Sequence, residues 1–321
     1  MNLLGKFLLI ALFANELLYA QDTSELVNRL LSDNLKARVE AQKEIERLDS
    51  SSQKQLCDSM IQVLIDGRQN NAQIFVPEAL KKIPTVSIPL LANAMDNNNA
   101  GCRTRIANVL GNIGRPARAA LPRLLRGLKD IDVQVRHSAA YSIAKIGYKT
   151  DEVISSLQSA IKENTGDVQM MAIDALAELD PWTAKEAMPI LKDGVKKNDD
   201  KAFFALQKMG PAAQDAIPEL INALVGQDEN IQLDAVTALA EMGPAAKTAL
   251  PTLIEIIKGH GNQSVRMVAV GAIIQIGPEA KTALPALKEM EKDKDDMVRR
   301  QAMQAERKIE SYKTATFGSG N

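Results

Sequence analysis

The chain has 321 residues, 45% hydrophobic and 25% charged, which excludes wholesale disorder and is enough to build a core. With 39 basic and 40 acidic residues the net charge is -1, so overall charge supplies no reason to expect nucleic acid. Aromatic residues make up only 3%, which leaves the core to Ala, Leu, Ile, Val and Met.

The first twenty residues read as a secretory signal peptide. Lys6 precedes an apolar run over 7–13, and Leu18-Tyr-Ala20 supplies a small-residue end before Gln21. This predicts cleavage after Ala20 and an exported chain, periplasmic or secreted, with retention as an anchor the alternative. The run is shorter than the ~20 residues of a membrane span, and no stable span is expected elsewhere. Residues 21–99 read as degenerate helical repeats, with helices expected over 34–48, 52–65, 72–83 and 86–95.

From residue 100 the chain repeats itself. Gly243-Pro-Ala-Ala-Lys-Thr-Ala-Leu-Pro251 reappears as Gly277-Pro-Glu-Ala-Lys-Thr-Ala-Leu-Pro285, Gly210-Pro-Ala-Ala-Gln-Asp-Ala-Ile-Pro218 and Gly114-Arg-Pro-Ala-Arg-Ala-Ala-Leu-Pro122. With Gly147 and Asp180 in the same slot, the spacings are 33, 33, 30, 33 and 34 residues. A fixed period in that range is the signature of a helical-repeat array. Before each slot, residues such as Val265, Ala269, Ala272, Ile273 and Ile276 follow the spacing of one buried helical face. The glycine suits a left-handed helix end. The second proline (122, 189, 218, 251 or 285) suits the first turn of a second helix, where a missing N–H costs nothing. Each unit is therefore predicted to be helix, tight Gly-Pro turn, helix and polar link. The 30-residue unit near Lys201 is a short copy.

The links are rich in Asp and Asn (Asp130, Asp132, Asp167, Asp199, Asp228, Asn230), which suits capping of the next helix rather than calcium binding. An Arg or Gln follows the first core position as Arg103, Arg136, Gln169, Gln232, Arg266 and Arg299. Residues 295–310 read as a closing cap helix, with Glu306 where Ile273 sits in the preceding copy, and 311–321 as a disordered tail.

The Asp…Val-Arg…Ala…Ile-Gly pattern resembles HEAT repeats, especially the short form found in phycobilin-lyase-type proteins, over residues 100–310. The resemblance implies an all-α, right-handed α-α superhelix of about eight helix pairs, with an Asp–Arg ladder in which Arg136, Arg266 and Arg299 are candidates. It also implies protein binding or scaffolding as the function. The alternative it implies is an enzyme, or enzyme subunit, acting on a bilin-like tetrapyrrole.

No catalytic constellation is legible: two histidines, His137 and His260, stand apart, and no metal motif, phosphate loop or nucleophile elbow occurs. No metal or cofactor is expected. Cys57 and Cys102 lie in different units and read as buried free thiols. Trp182 is expected to pack under its turn, with an exposed contact residue the alternative. The uneven feature is charge. Arg103 to Lys149 holds ten basic residues against Asp130 and Asp132, whereas Gly210 to Ala246 holds six acidic residues and no basic one. Arg123, Arg126 and Lys129 share the face of their helix opposite the leucines. With Arg118 they form the candidate contact patch for an acidic or polyanionic protein partner. In arrays of this kind the second helices line the concave surface. Self-association of basic with acidic segments is the further possibility, and nucleic acid is not expected.

Overall fold

A computed structural model of the chain describes residues 23–67, 71–259, 261–293 and 295–315. The predicted signal peptide, His260 and residues 316–321 lie outside them. The described residues form no strand, and the fold class is the all-α helical repeat. The chain divides into two compact units, 1–175 and 176–321.

The first unit opens with α1, described over residues 23–30 and unforeseen from the sequence. It continues with α2 (Leu35–Ile45), α3 (Ser50–Asp66), α4 (Ala72–Leu80), α5 (Pro84–Ala94), α6 (Ala100–Ile113), α7 (Leu121–Gly127), α8 (Val133–Ile146) and α9 (Asp151–Glu163). Helix α10 (Gly166–Leu179) begins in the first unit and ends in the second. The second unit holds α11 (Met188–Lys196), α12 (Asp200–Met209), α13 (Ile217–Leu224), α14 (Glu229–Met242), α15 (Leu250–Lys258), α16 (Gln263–Ile276), α17 (Leu284–Met290) and α18 (Asp296–Ala315). From α2 to α17 these are eight successive helix pairs. In the first unit the leading helices α4, α6 and α8 pack in succession; in the second, α12, α14, α16 and α18 do. Helix α18 runs five residues past Glu310, so 311–315 belong to it rather than to a tail.

The inward positions are as the spacing requires. Val135, Ala139, Ser142, Ile143 and Ile146 of α8 are buried, as are Val265, Ala269, Ala272, Ile273 and Ile276 of α16. Small residues bring backbones close. A Cβ on Gly111 of α6 would lie 2.8 Å from Ser142 Cα on α8. Ser142 turns its buried hydroxyl onto Ala107 O at 2.7 Å, so the close approach leaves no polar atom unpaired there.

The predicted tight turn is in fact a 3-10 helix. Arg115–Ala120, Thr183–Ala187, Gly210–Ala216, Gly243–Ala249 and Pro278–Ala283 each lead straight into a second helix. The preceding glycines are not left-handed caps of the usual kind. Gly114, Gly210, Gly243 and Gly277 have φ between 52° and 89° with ψ between -144° and -128°, a region that only glycine tolerates. A following proline disfavours a helical ψ at three of them, and Gly114, followed by Arg115, shows that the 3-10 segment itself demands it. Gly147, which has no such segment after it, keeps the ordinary left-handed values of φ 62° and ψ 34°.

Of the link residues expected to cap, Asp132, Asp199 and Asp228 do so, whereas Asp167 and Asn230 lie inside α10 and α14 and Asp130 accepts from Asp132 N within the link. Asn99, Asp132, Asp199, Asp228, Asn262 and Asp295 accept backbone N–H groups of the helices that follow them. Between links runs the ladder. Arg103 donates to both oxygens of Asp130 at 2.8 and 2.7 Å and reaches back to Asn97 O and Asn98 O. Arg266 pairs with Asp293 at 2.7 Å, with both side chains about nine-tenths buried. Arg136 grips Asp130 O and Ile131 O behind it but meets the amide Asn164 ahead. Gln169 and Gln232, with a single amide each, reach only backward, Gln169 to Ile161 O in the last turn of α9 and Gln232 to Gly226 O in the link. The full rungs of Arg103 and Arg136 thus join their helices to the links on both sides of their own pairs. Arg103, absent from the predicted set, holds one of the two buried carboxylate pairs.

Candidate protein-binding face

Helix α7 is anchored by the leucines on its inner face and ends at Gly127, so that Lys129 lies just past it rather than within it as expected. Leu121, Leu124, Leu125 and Leu128 are buried, and Pro122 stands in its first turn. A helix so anchored turns every third residue outward. Arg123 is half-buried, and Arg126 and Lys129 are exposed, as is Arg118 on the 3-10 segment before it.

The structure does not leave all three residues of the stripe in water. Arg123 and Arg126 converge on one carboxylate, Asp96, just past the end of α5, the second helix of the preceding pair. Arg126 Nη2 lies 2.5 Å from Asp96 Oδ1, and Arg123 binds the other oxygen. Lys129 and Arg118 take part in no ion pair among the described residues. Of the ten basic residues from Arg103 to Lys149, three serve the interior: Arg103 and Arg136 hold the ladder, and Arg105 caps the carbonyls of Leu64 and Ile65 at the end of α3. The surface excess is therefore smaller than the count suggests and is concentrated at the outer side of α7. Beyond Lys129 in the link, Ile131 is 95% exposed and Val133 is exposed as well.

The acidic stretch of the second unit is largely engaged within that unit. Asp215 meets Lys185 at 3.4 Å, Glu219 meets Lys192 at 3.2 Å, Asp228 caps α14, and Glu229 accepts from Asn262. Asp234 is held above the usual carboxylate range by burial first, then by Asp200 and Asp228. At the start of the first unit a cleft of about 210 Å³ lies among α1, α2 and α3, and its facing charges, Arg29 and Glu44, bind each other.

Sequence reasoning missed Asp96 and Ile131, and misplaced Trp182. The indole is 63% exposed rather than packed under its turn, with Lys185 Nζ 5.9 Å from the ring centre. Asp96 had a signal. Seven residues after the second proline the repeats carry Lys129, Lys196, Val225, Lys258 and Lys292, whereas Pro89 of α5 is followed in that place by Asp96.

Cys57 and Cys102 are free and fully buried. Burial first, then Asp58, pushes the Cys57 thiol up to about 12. Burial also raises Cys102 against the opposing pull of Arg105 and Arg103. Since the thiolate is the nucleophile, the native protein should resist iodoacetamide at pH 8, and both thiols should react in denaturant. A two-adduct mass within minutes under native conditions contradicts this packing.

The sequence profile of HEAT repeats matches residues 88–177, 121–203 and 217–307. No curated protein matches the sequence. Among solved structures, the crystal structure of an engineered protein is similar over 90% of this chain and 99% of its own, at 17% identity and a TM-score of 0.51, a likeness of fold alone. The complex of CpcE and CpcF of phycocyanin lyase from Nostoc sp. PCC7120 is similar over 69% of this chain and 94% of its own, at 21% identity and a TM-score of 0.44.

Proposed function

This chain belongs to the HEAT-repeat family, and from that premise we propose that it is a non-catalytic, exported scaffold that binds an acidic protein partner along the outer side of α7. The observation that carries the reading is the run of outward cations Arg118, Arg123, Arg126 and Lys129, which faces a single carboxylate, Asp96, among the described residues. Arg–carboxylate pairing supplies affinity and register together, and α7 with the segments flanking it presents the donors on an ordered backbone, which leaves only their side chains to be ordered on binding. Export rests on the sequence of residues 1–20. The acidic stretch of the second unit, being engaged with lysines and helix starts, is a poor counterpart for this face, which favours a different protein over a second copy.

The test is affinity capture from the host's extracytoplasmic fraction with the chain beginning at Gln21, beside its Arg126→Glu/Lys129→Glu variant. An acidic protein retained by the first and reduced at least tenfold by the second supports the reading. A partner held equally by both places the contact on another surface. An N-terminal mass beginning at Met1 in the secreted or periplasmic material contradicts processing after Ala20.

A further inference from the structure

Among the described residues Asp96 has no backbone duty, unlike several other link carboxylates. Asp130, Asp132, Asp228 and Asp293 each accept a backbone N–H in the turn or at the helix start that follows. At the corresponding link Asn97 and Asn99 do this work, with Asn97 accepting from Asn99 N and Asn99 from Cys102 N. Among the described residues Asp96 accepts only from Arg123 and Arg126, and its side chain is 52% exposed. It also follows the end of α5, where the helix dipole disfavours a negative charge. Its place in the repeat carries lysine in four of the five other copies, as Lys129, Lys196, Lys258 and Lys292, and Val225 in the fifth.

We infer that Asp96 occupies the Arg123–Arg126 fork in the free protein as an internal stand-in for a partner's carboxylate. The docking line it guards runs Arg123, Arg126, Lys129, Ile131, and it fits an acidic peptide segment ending in an apolar residue. The order of the line specifies the ligand. Two guanidinium groups able to share one carboxylate are followed by Lys129, an ammonium without an ion pair among the described residues, and then by a nearly fully exposed isoleucine. A partner carboxylate entering the fork displaces Asp96, and its apolar residue covers Ile131 and Val133. Exposed ion pairs are weak enough to exchange, so the stand-in tunes affinity without blocking the site. This inference rests on the proposed function above and specifies its ligand.

The experiment is fluorescence anisotropy of the full chain with a labelled peptide of four glutamates followed by two leucines, at low and high salt. The variants are Asp96→Asn, Arg126→Glu/Lys129→Glu and Ile131→Asp, with circular dichroism as the folding control. The expected result is binding by the parent chain, tightening by about three- to tenfold in Asp96→Asn, and loss of at least tenfold in the double reversal. Ile131→Asp should weaken binding severalfold, and salt should weaken every complex. Binding lost in the double reversal but unchanged or weaker in Asp96→Asn overturns the stand-in and leaves the basic face standing. Failure of every variant to bind the peptide, with tight binding of a sulfated oligosaccharide, overturns the peptide as ligand class. Failure to bind either overturns the basic face itself.

Discussion

Gly111→Ala is expected to destabilise the first unit by about 2–3 kcal/mol, although alanine is the better helix former by about 1 kcal/mol. The added methyl meets Ser142 Oγ at 2.7 Å, its Cα at 2.8 Å and its Cβ at 2.9 Å, so side-chain movement alone cannot make room. Helices α6 and α8 would have to separate, uncovering Ile106, Leu110, Ile143 and the hydrogen bond from Ser142 to Ala107 O. A matched site in the second unit makes the interpretation sharp. A Cβ on Gly194 meets Ala202 Cβ at 2.6 Å but Ala202 Cα only at 4.0 Å. Ala202→Gly should therefore rescue most of the loss caused by Gly194→Ala, whereas Ser142→Gly should rescue Gly111→Ala only in part. Thermal and urea unfolding of the two double variants read this directly. Equal rescue at both sites would show that the α6–α8 approach is softer than its backbone contact implies.

Asp130→Ala carries the other large effect, about 3 kcal/mol, because it strands a guanidinium rather than deleting a surface contact. The side chains of Arg103 and Asp130 are 13% and 14% exposed, and Arg103 would keep only its bonds to the carbonyls of Asn97 and Asn98. The N–H of Asp132 would lose its acceptor as well. For a unit of this size the melting temperature should fall by roughly 6–12 °C. Replacing both partners, as Arg103→Met/Asp130→Leu, should recover much of the loss, since no charge is then left buried. A double variant as unstable as Asp130→Ala would assign the loss to the link rather than to the stranded charge.

The same pair sets a pH dependence. Burial works to raise the Asp130 carboxyl, but hydrogen bonds from Arg103 and the Asp132 N–H outweigh it and hold the group below its ordinary 3.8. A carboxyl lowered in the folded state adds stability that is fully present above its unfolded value and is lost as pH falls through the folded one. The parent chain should therefore lose stability from about pH 4 downward, and Asp130→Asn should show a shallower acid slope. Identical slopes would remove Asp130 from the titration.

Most of the array was legible because its signals are local. The buried face of α8, the Asp and Asn caps and the second prolines each depend on residues within two turns of one another. The 3-10 segments were not legible, because Pro-Ala-Ala-Lys-Thr-Ala satisfies a turn and a tight helix equally well. What separates the two is the glycine ψ, which no residue type announces. The charge partners of α7 were hidden for a different reason. Asp96 lies 27 residues before Arg123, and the two meet only because α5 and the segment before α7 pack side by side. The packed reading of Trp182 failed because its turn was taken to be a copy of the Gly-Pro ones, whereas Asp180 there accepts from Thr183 and the indole is exposed.

The ladder also bears on how such a chain can change its length over generations. Arg103, Arg136, Gln232 and Arg299 grip the link just behind them, and the full rungs of Arg103 and Arg136 add a carboxylate or amide 27 or 28 residues ahead. Duplication or loss of one whole period therefore copies or removes a rung with both its attachments, and no guanidinium is orphaned inside the stack. The 30-residue copy shows the result of a cut falling within the arm. Helix α12 has 10 residues where α8, α14 and α16 have 14, and it begins after the position the arm would occupy. Its link closes instead through Asn198 at φ 58° and the bond from Asp199 N to Gly194 O. Whole periods are thus the units in which this architecture can be inherited, lengthened or trimmed without new compensating residues.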